Sequence, residues 1–172
     1  LKKTIKANKK DILITFGGSD LNNFSLLVLN FLSEKFSNKK ITVLIGNYYS
    51  PQILSKILKF KKKIKNLSVI KSKNTIIDII NYHKIIFTSS GLTKYEALSL
   101  NKKIVILFKT EQEYLINKSF KLKNSVLLLN KHNLNNIENK IKFFLNIKYN
   151  QFKDHKFGNF KTIYQMIVNG KK

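Results

Sequence analysis

From Asp11 onward the apolar positions of this chain change period in a regular way. Short runs rich in β-branched residues fall at Ile12–Phe16, Ile41–Ile45, Leu67–Ile70, Ile85–Thr88, Ile104–Leu107 and Val126–Leu129. These runs are apolar throughout rather than at every second residue, which is what a strand covered on both faces requires. Between them lie stretches of helical spacing at Phe24–Phe36, Pro51–Ile64, Ile76–Tyr82, Leu92–Leu100, Gln112–Leu122 and Leu134–Leu145. Strand and helix thus alternate six times, which predicts a parallel sheet joined by right-handed crossovers. Pro51 suits a first helical position, and Thr75-Ile76-Ile77-Asp78 fits a capping box. A further apolar-periodic segment, Phe160–Val168, predicts a closing helix. The predicted fold class is therefore α/β, a Rossmann-like parallel sheet of about six strands with helices on both faces. Residues 1–10 are polar and basic, like a linker or arm, and 11–172 form one domain large enough for a proper core.

Composition changes this picture little. The net charge is +24, carried by 33 lysines without one arginine, beside 21 asparagines and 23 isoleucines. Arginine supplies the bidentate and stacking contacts that dominate nucleic-acid recognition, so selection for that partner would leave some. A biased coding composition acting on tolerant surface positions accounts for the lysines first, an anionic membrane surface second, nucleic acid last. The densest cluster, Lys59-Phe60-Lys61-Lys62-Lys63-Ile64-Lys65, reads as the solvated end of a helix, where positive charge is favourable. Zero cysteines exclude disulfides and thiolate metal sites, and His83, His132 and His155 have no metal-ligand spacing. No apolar run approaches the roughly 20 residues that span a bilayer, and no secretory signal pattern opens the chain. The expected location is cytoplasmic or membrane-peripheral. The chain starts at Leu1 and holds a single methionine, Met166, so it is expected to be a trimmed piece of a longer protein.

Two loops carry candidate chemistry. Phe16-Gly17-Gly18-Ser19-Asp20 follows the first apolar strand, and Thr88-Ser89-Ser90-Gly91-Leu92-Thr93 follows the fourth and runs into a helix. Small residues there let backbone N–H groups approach a phosphate, at the positive end of the helix dipole. Neither loop is a GxGxxG fingerprint or a P-loop. Each has a structural alternative: Asp20 or Asn22 as the cap of the next helix, and Thr93-x-x-Glu96 as a capping box. If not a cap, Glu96 is placed to accept hydrogen bonds from a sugar diol beside the phosphate. Gln112 can likewise serve a sugar hydroxyl or simply start a helix. No catalytic constellation stands out; Asp20 and Glu96 are the acidic pair nearest to one.

Taken together, Ile12-Leu13-Ile14-Thr15-Phe16-Gly17-Gly18-Ser19-Asp20, then Gly91-Leu92-Thr93-Lys94-Tyr95-Glu96-Ala97-Leu98, then Glu111-Gln112, resemble the C-terminal domain of GT-B nucleotide-sugar enzymes. The nearest group is that of the UDP-sugar hydrolase of pseudaminic acid biosynthesis and the spore-coat-polysaccharide SpsG-like glycosyltransferases. More distant is the peptidoglycan lipid-linked N-acetylglucosaminyltransferase. The tail Asp154-His155-Lys156-Phe157-Gly158 echoes an Asp-Gly-x-Gly segment of that group with its first glycine missing. The resemblance covers roughly residues 11 to 168. It implies a UDP-sugar as substrate, with no cofactor or metal. Gly17, Gly18, Ser19 and Asp20 would line the cleft near the diphosphate or donor sugar, and Ser90, Gly91, Leu92 and Thr93 would contact phosphate. Glu96 would hold the ribose hydroxyls, Gln112 the donor sugar, and the backbone at Lys71 and Ser72 would face the uracil. The chain departs from the group at Asn101-Lys102-Lys103, where Gly-x-Pro is usual, and at His83, where an acidic residue is common. The resemblance also implies an N-terminal domain or partner chain carrying the acceptor site and catalytic residues. Transfer, hydrolysis and a non-catalytic donor-binding subunit all stay open, and the chain alone is expected to bind nucleotide weakly and catalyse little.

Overall fold

The computed structural model describes residues 10–71, 75–122, 125–130 and 137–146. The arm before Lys10, Ser72, His132, the Asp154–Gly158 tail and the predicted helix Phe160–Val168 lie outside the described residues.

Among the described residues six strands, β1 (Lys10–Ile14), β2 (Ile41–Ile45), β3 (Leu67–Lys71), β4 (His83–Thr88), β5 (Lys103–Phe108) and β6 (Val126–Asn130), alternate with six α-helices. The helices are α1 (Phe24–Lys35), α2 (Pro51–Lys59), α3 (Ile76–Asn81), α4 (Thr93–Ser99), α5 (Glu111–Asn117) and α6 (Ile137–Asn146). The strands form one sheet in the order β3-β2-β1-β4-β5-β6, and every neighbouring pair is parallel. The alternation read from the sequence is therefore the fold.

Two separate cores account for the doubly apolar strands. On one face Ile12, Ile14, Val43 and Phe87 pack against Leu29 and Leu32 of α1, Ile57 of α2 and Ile141 and Phe144 of α6. On the other, Leu13, Ile86, Ile104 and Ile106 meet Ile80 of α3, Ala97 and Leu98 of α4, and Phe120. Successive residues of one strand serve opposite cores because strand side chains alternate.

Two predicted helices each end early in a 3-10 turn. The segment Pro51–Ile64 is α-helical only to Lys59 and then tightens over Phe60–Lys62. Like charges at Lys59 and Lys63 disfavour a further helical turn. The segment at Gln112 starts one residue sooner and changes to a 3-10 turn at Lys118–Leu122. Ser50 caps α2 by accepting the Ile53 N–H at 3.3 Å, with Pro51 at the first helical position as expected. The Thr75–Asp78 capping box does not form. The Thr75 hydroxyl donates to the Asp78 carboxylate at 2.6 Å instead of accepting the backbone N–H. A capping box does form where none was expected, at Thr110 and Glu113.

Candidate functional site

The strand order reverses between β1 and β4: the chain moves outward through β2 and β3, returns to the middle, then moves outward the other way. At such a reversal the connections leave to opposite sides, so a crevice opens beyond the carboxyl ends of the two central strands. The two candidate loops leave β1 and β4. Ile14 pairs with Phe87, and the Thr15 N–H donates to the Phe87 carbonyl at 2.9 Å, which carries both loops out at one level.

The β1–α1 loop turns at Gly17, whose φ of +75° suits glycine best. A neighbouring loop holds it down: the Tyr48 N–H donates to the Gly18 carbonyl at 2.9 Å. Gly46 makes that approach possible, because a Cβ there would lie 2.4 Å from the Gly18 oxygen and 2.5 Å from the Gly17 oxygen. Gly46 was missed as a site-shaping residue; nothing in the sequence says that two consecutive strand ends touch. Asp20 is buried and its carboxylate accepts the N–H groups of Phe24 at 2.9 Å and Ser25 at 2.8 Å. It is the internal anion at the α1 N-terminus, the capping reading of the two that the sequence left open. Behind it, Tyr49 Oη and Ser25 Oγ lie 3.1 Å apart. Burial pushes the Tyr49 phenol up to about 12; the Ser25 bond opposes this and the Asp20 charge adds to it. The N–H groups of Gly17, Gly18 and Ser19 have no hydrogen-bond partner among the described residues.

The β4–α4 loop differs in its cap. Leu92, not Thr93, is the residue before the helix, its backbone is already helical, and no side chain caps it. The capping box that Thr93 and Glu96 might have formed is absent, and the half-buried Glu96 carboxylate bonds to nothing among the described residues. The N–H groups of Gly91, Leu92 and Thr93 also have no hydrogen-bond partner among the described residues. No atom lies within 4 Å of the point where a Gly91 side chain would begin, so the loop faces free space.

Its support is Lys94, a residue the sequence reading passed over. Lys94 is 1% exposed, and its ammonium donates to the Ser90 carbonyl and to Asn117 Oδ1, both at 2.8 Å. Asn117 in turn donates to Ser90 Oγ at 2.8 Å. The ammonium lies 4.9 Å from the centre of the Tyr95 ring and 5.5 Å from that of Phe120, and pairs with no carboxylate among the described residues. Burial pushes it below the ordinary lysine value of 10.5. A buried cation whose charge is met only by carbonyl dipoles and ring faces therefore sits directly behind the open loop. In the sequence it shows only as one lysine among 33.

The remaining candidates take their places along the same edge of the sheet. Lys71 ends β3 and is exposed; Gln112 is exposed in the first turn of α5, after β5. Of the acidic pair Asp20 and Glu96, Asp20 has both oxygens engaged by the α1 N-terminus. His83 is a satisfied core histidine: Nδ1 donates to the Ile79 carbonyl at 2.7 Å, and Nε2 accepts from Thr42 Oγ1 at 2.9 Å. At the unusual Asn101-Lys102-Lys103, Asn101 takes a φ of +52°, supplying the left-handed helix exit that glycine commonly provides. Lys102 and Lys103 are buried, their ammoniums donating to the carbonyls of Asn81 at 2.8 Å and Phe144 at 2.9 Å. No cluster of metal-ligating side chains occurs among the described residues.

No protein-family model matches the sequence. An uncharacterised protein of Methanocaldococcus jannaschii is 31% identical over 112 residues, a match covering 64% of this chain and 23% of that protein. Among solved structures, the UDP-GlcNAc 2-epimerase of Neisseria meningitidis bound to UDP-GlcNAc matches 96% of this chain and 45% of its own length. Its TM-score is 0.56 at 18% identity. The Escherichia coli heptosyltransferase WaaC with ADP-2-deoxy-2-fluoro heptose matches 83% of this chain and 44% of its own, with a TM-score of 0.54 at 9% identity. An O-GlcNAc transferase of Thermobaculum terrenum matches 94% and 31%, with a TM-score of 0.50 at 12% identity. At these identities the likeness is one of fold: a Rossmann-like domain of the kind that makes one half of a GT-B enzyme. The chain spans less than half the length of each of these proteins.

Proposed function

We propose that this chain is the nucleotide-sugar-binding half of a GT-B glycosyltransferase-like enzyme that uses a UDP-sugar in cell-surface glycan or nonulosonate synthesis. The observation that carries the reading is the β4–α4 loop: open N–H groups at Gly91–Thr93, backed by the buried Lys94 cation and followed by an unbonded Glu96. Donors and positive charge suit a diphosphate. A carboxylate would repel that diphosphate unless turned toward neutral hydroxyls, so Glu96 takes the ribose diol. Ser90, Gly91, Leu92 and Thr93 hold the phosphates. Gly17, Gly18 and Ser19 line the donor-sugar side, with Asp20 fixing their turn through α1. Gln112 meets the sugar, and the backbone at Lys71 and Ser72 faces the uracil. In transfer, the N–H groups of the loop stabilise the departing UDP, where negative charge develops. With water in place of the acceptor the same site serves hydrolysis.

A second domain or a separate chain completing the cleft belongs to the same proposal. Leu21, Tyr48 and Leu92 project from the β1, β2 and β4 loops with 88%, 81% and 79% of their surfaces exposed, around the mouth of the crevice. Large apolar side chains gathered at one edge favour a covering surface. This favours a two-part enzyme, or a donor-binding subunit that docks with an acceptor-binding chain, in the cytoplasm or at the membrane periphery.

Calorimetric titration with UDP, CMP and ADP tests the reading. Saturable UDP binding that CMP and ADP do not match, weakened by Glu96→Ala by about 2 kcal/mol, is expected for loss of charge-assisted bonds to a diol. Equal affinity for all three nucleotides, unchanged in Glu96→Ala, sinks it.

A further inference from the structure

The lysines of this chain are not spread evenly. Between Lys35 and Ile77 there are eleven lysines and no aspartate or glutamate. Ten of these lysines are described, and all ten are exposed. Between Asp78 and Asn117, by contrast, five lysines accompany four acidic residues, and Lys94, Lys102 and Lys103 of those five are buried. Residues 118–172 carry a similar excess, twelve lysines to two acidic residues, so what sets 35–77 apart is where the fold gathers its lysines.

The fold turns this separation along the chain into one in space. Residues 35–77 build β2, α2, the 3-10 turn at Phe60–Lys62 and β3, which together form one edge of the sheet. Ile57 and Ile64 anchor that flank in the core, leaving Lys56, Lys59, Lys61, Lys62, Lys63 and Lys65 toward solvent. Apolar surface is interleaved with them. A shallow cavity of about 490 Å³ is lined by Leu26, Asn30, Lys56, Lys59, Phe60 and Lys63. A second, of about 470 Å³, is lined by Pro51, Leu54, Ser55, Leu58, Lys59 and Lys62. Lys59 stands on the rim of both, and Leu58 is 43% exposed.

The geometry points to this β2–α2–β3 flank as a docking face for an anionic lipid bilayer. Ammonium groups around apolar floors match the interface of such a bilayer, where lysine stems lie along acyl chains while their charges meet headgroups. A cluster of this size on an amphipathic helix is the usual requirement for holding anionic lipid. Nucleic acid fits less well. The flank has no arginine fork, and the ring beside its lysine cluster, Phe60, is only half-exposed and has the Lys63 ammonium 5.8 Å from its centre. The inference does not rest on the nucleotide site: of the flank's residues only Lys71 and Ser72, at the end of β3, are assigned to that site, and the rim lysines of α2 and the 3-10 turn are not.

Flotation of the full chain with vesicles tests it, using phosphatidylcholine alone or mixed with phosphatidylglycerol at moderate salt. The chain is expected to float with the mixed vesicles and not with the neutral ones. Replacing three rim lysines (Lys59→Gln, Lys62→Gln, Lys63→Gln) lowers partitioning by roughly a hundredfold, from the usual contribution of one basic side chain near an anionic surface. Replacing three exposed lysines elsewhere (Lys109→Gln, Lys118→Gln, Lys140→Gln) removes the same net charge and has a far smaller effect. Leu58→Ser weakens binding without altering charge. These are exposed positions, and an unchanged melting curve checks that each variant folds. Equal losses in the two triple variants would overturn the proposal, as would equal flotation with neutral vesicles. Single-stranded RNA that displaces the vesicles, with the same dependence on the rim lysines, would assign the face to nucleic acid instead.

Discussion

The two glycine-containing loops beside the switch point differ in what occupies the start of the helix that follows. At α1 the place of an anion is filled from within, by the Asp20 carboxylate on the Phe24 and Ser25 N–H groups. At α4 no side chain caps the helix, the N–H groups stay open, and a buried cation, Lys94, is braced behind them. The α1 N-terminus is closed by its own carboxylate, whereas that of α4 has no side-chain anion bonded to it among the described residues. The general lesson is that a glycine loop ahead of a helix does not by itself make an anion site; the deciding factor is whether the chain supplies its own carboxylate.

Substitutions can break this contrast, and the largest effect is expected at Gly46. A Cβ there collides with the backbone of both Gly17 and Gly18, and backbone cannot swing aside as a side chain does. Gly46→Ala should cost about 3 kcal/mol or more in chemical denaturation. Little change would mean that the closed loop is not held by its neighbour. Lys94→Met comes next, near 2 kcal/mol, because it leaves the Ser90 carbonyl and Asn117 Oδ1 without their donor. Amide exchange should rise at Ser90 and Gly91 but not at Gly17 and Gly18, and UDP affinity should fall. Asp20→Asn removes the charge and leaves one of the Phe24 and Ser25 N–H groups facing an amide NH2 in place of an acceptor, costing about 2 kcal/mol of stability. If the loops differ as described, this variant retains UDP binding.

The smallest effect is in pH dependence. Burial lowers the Lys94 pKa from 10.5, so over the window from that lowered value up to 10.5 the unfolded chain binds more protons than the folded one. Stability from this group therefore rises with pH through that window. Lys94→Met lacks the rise, whereas Lys103, also lowered by burial, contributes equally to both proteins. UDP affinity should move the opposite way over the same window, since the cation behind the loop is lost. Parallel denaturation and titration series check both slopes.

Much of this molecule was legible in its apolar period. Ile41–Ile45 was placed to the residue, and the other strands to within two at either end, because a strand buried on both faces has no freedom to be polar. The two candidate loops were legible as strand-to-helix turns, because small residues between a buried strand and a helix mark such a turn. Lys94 was not, since a lysine in a lysine-rich chain carries no contrast. Asn101 likewise hid a left-handed helix exit among 21 asparagines.

The sequence by itself determined the elements, their alternation and the parallel sheet, because these follow from spacings of a few residues and from the steric hand of the chain. Tertiary structure alone decided which acidic residue is a cap and which is free, and which lysines are solvated and which are buried. Thr93-x-x-Glu96 and Thr110-x-x-Glu113 carry one motif, yet only the second closes on itself. A side chain's role depends on the groups that fold around it, here Asn117 reaching 23 residues back to Lys94 and Gly46 pressing on Gly17, and contacts at such distance leave no mark in local sequence.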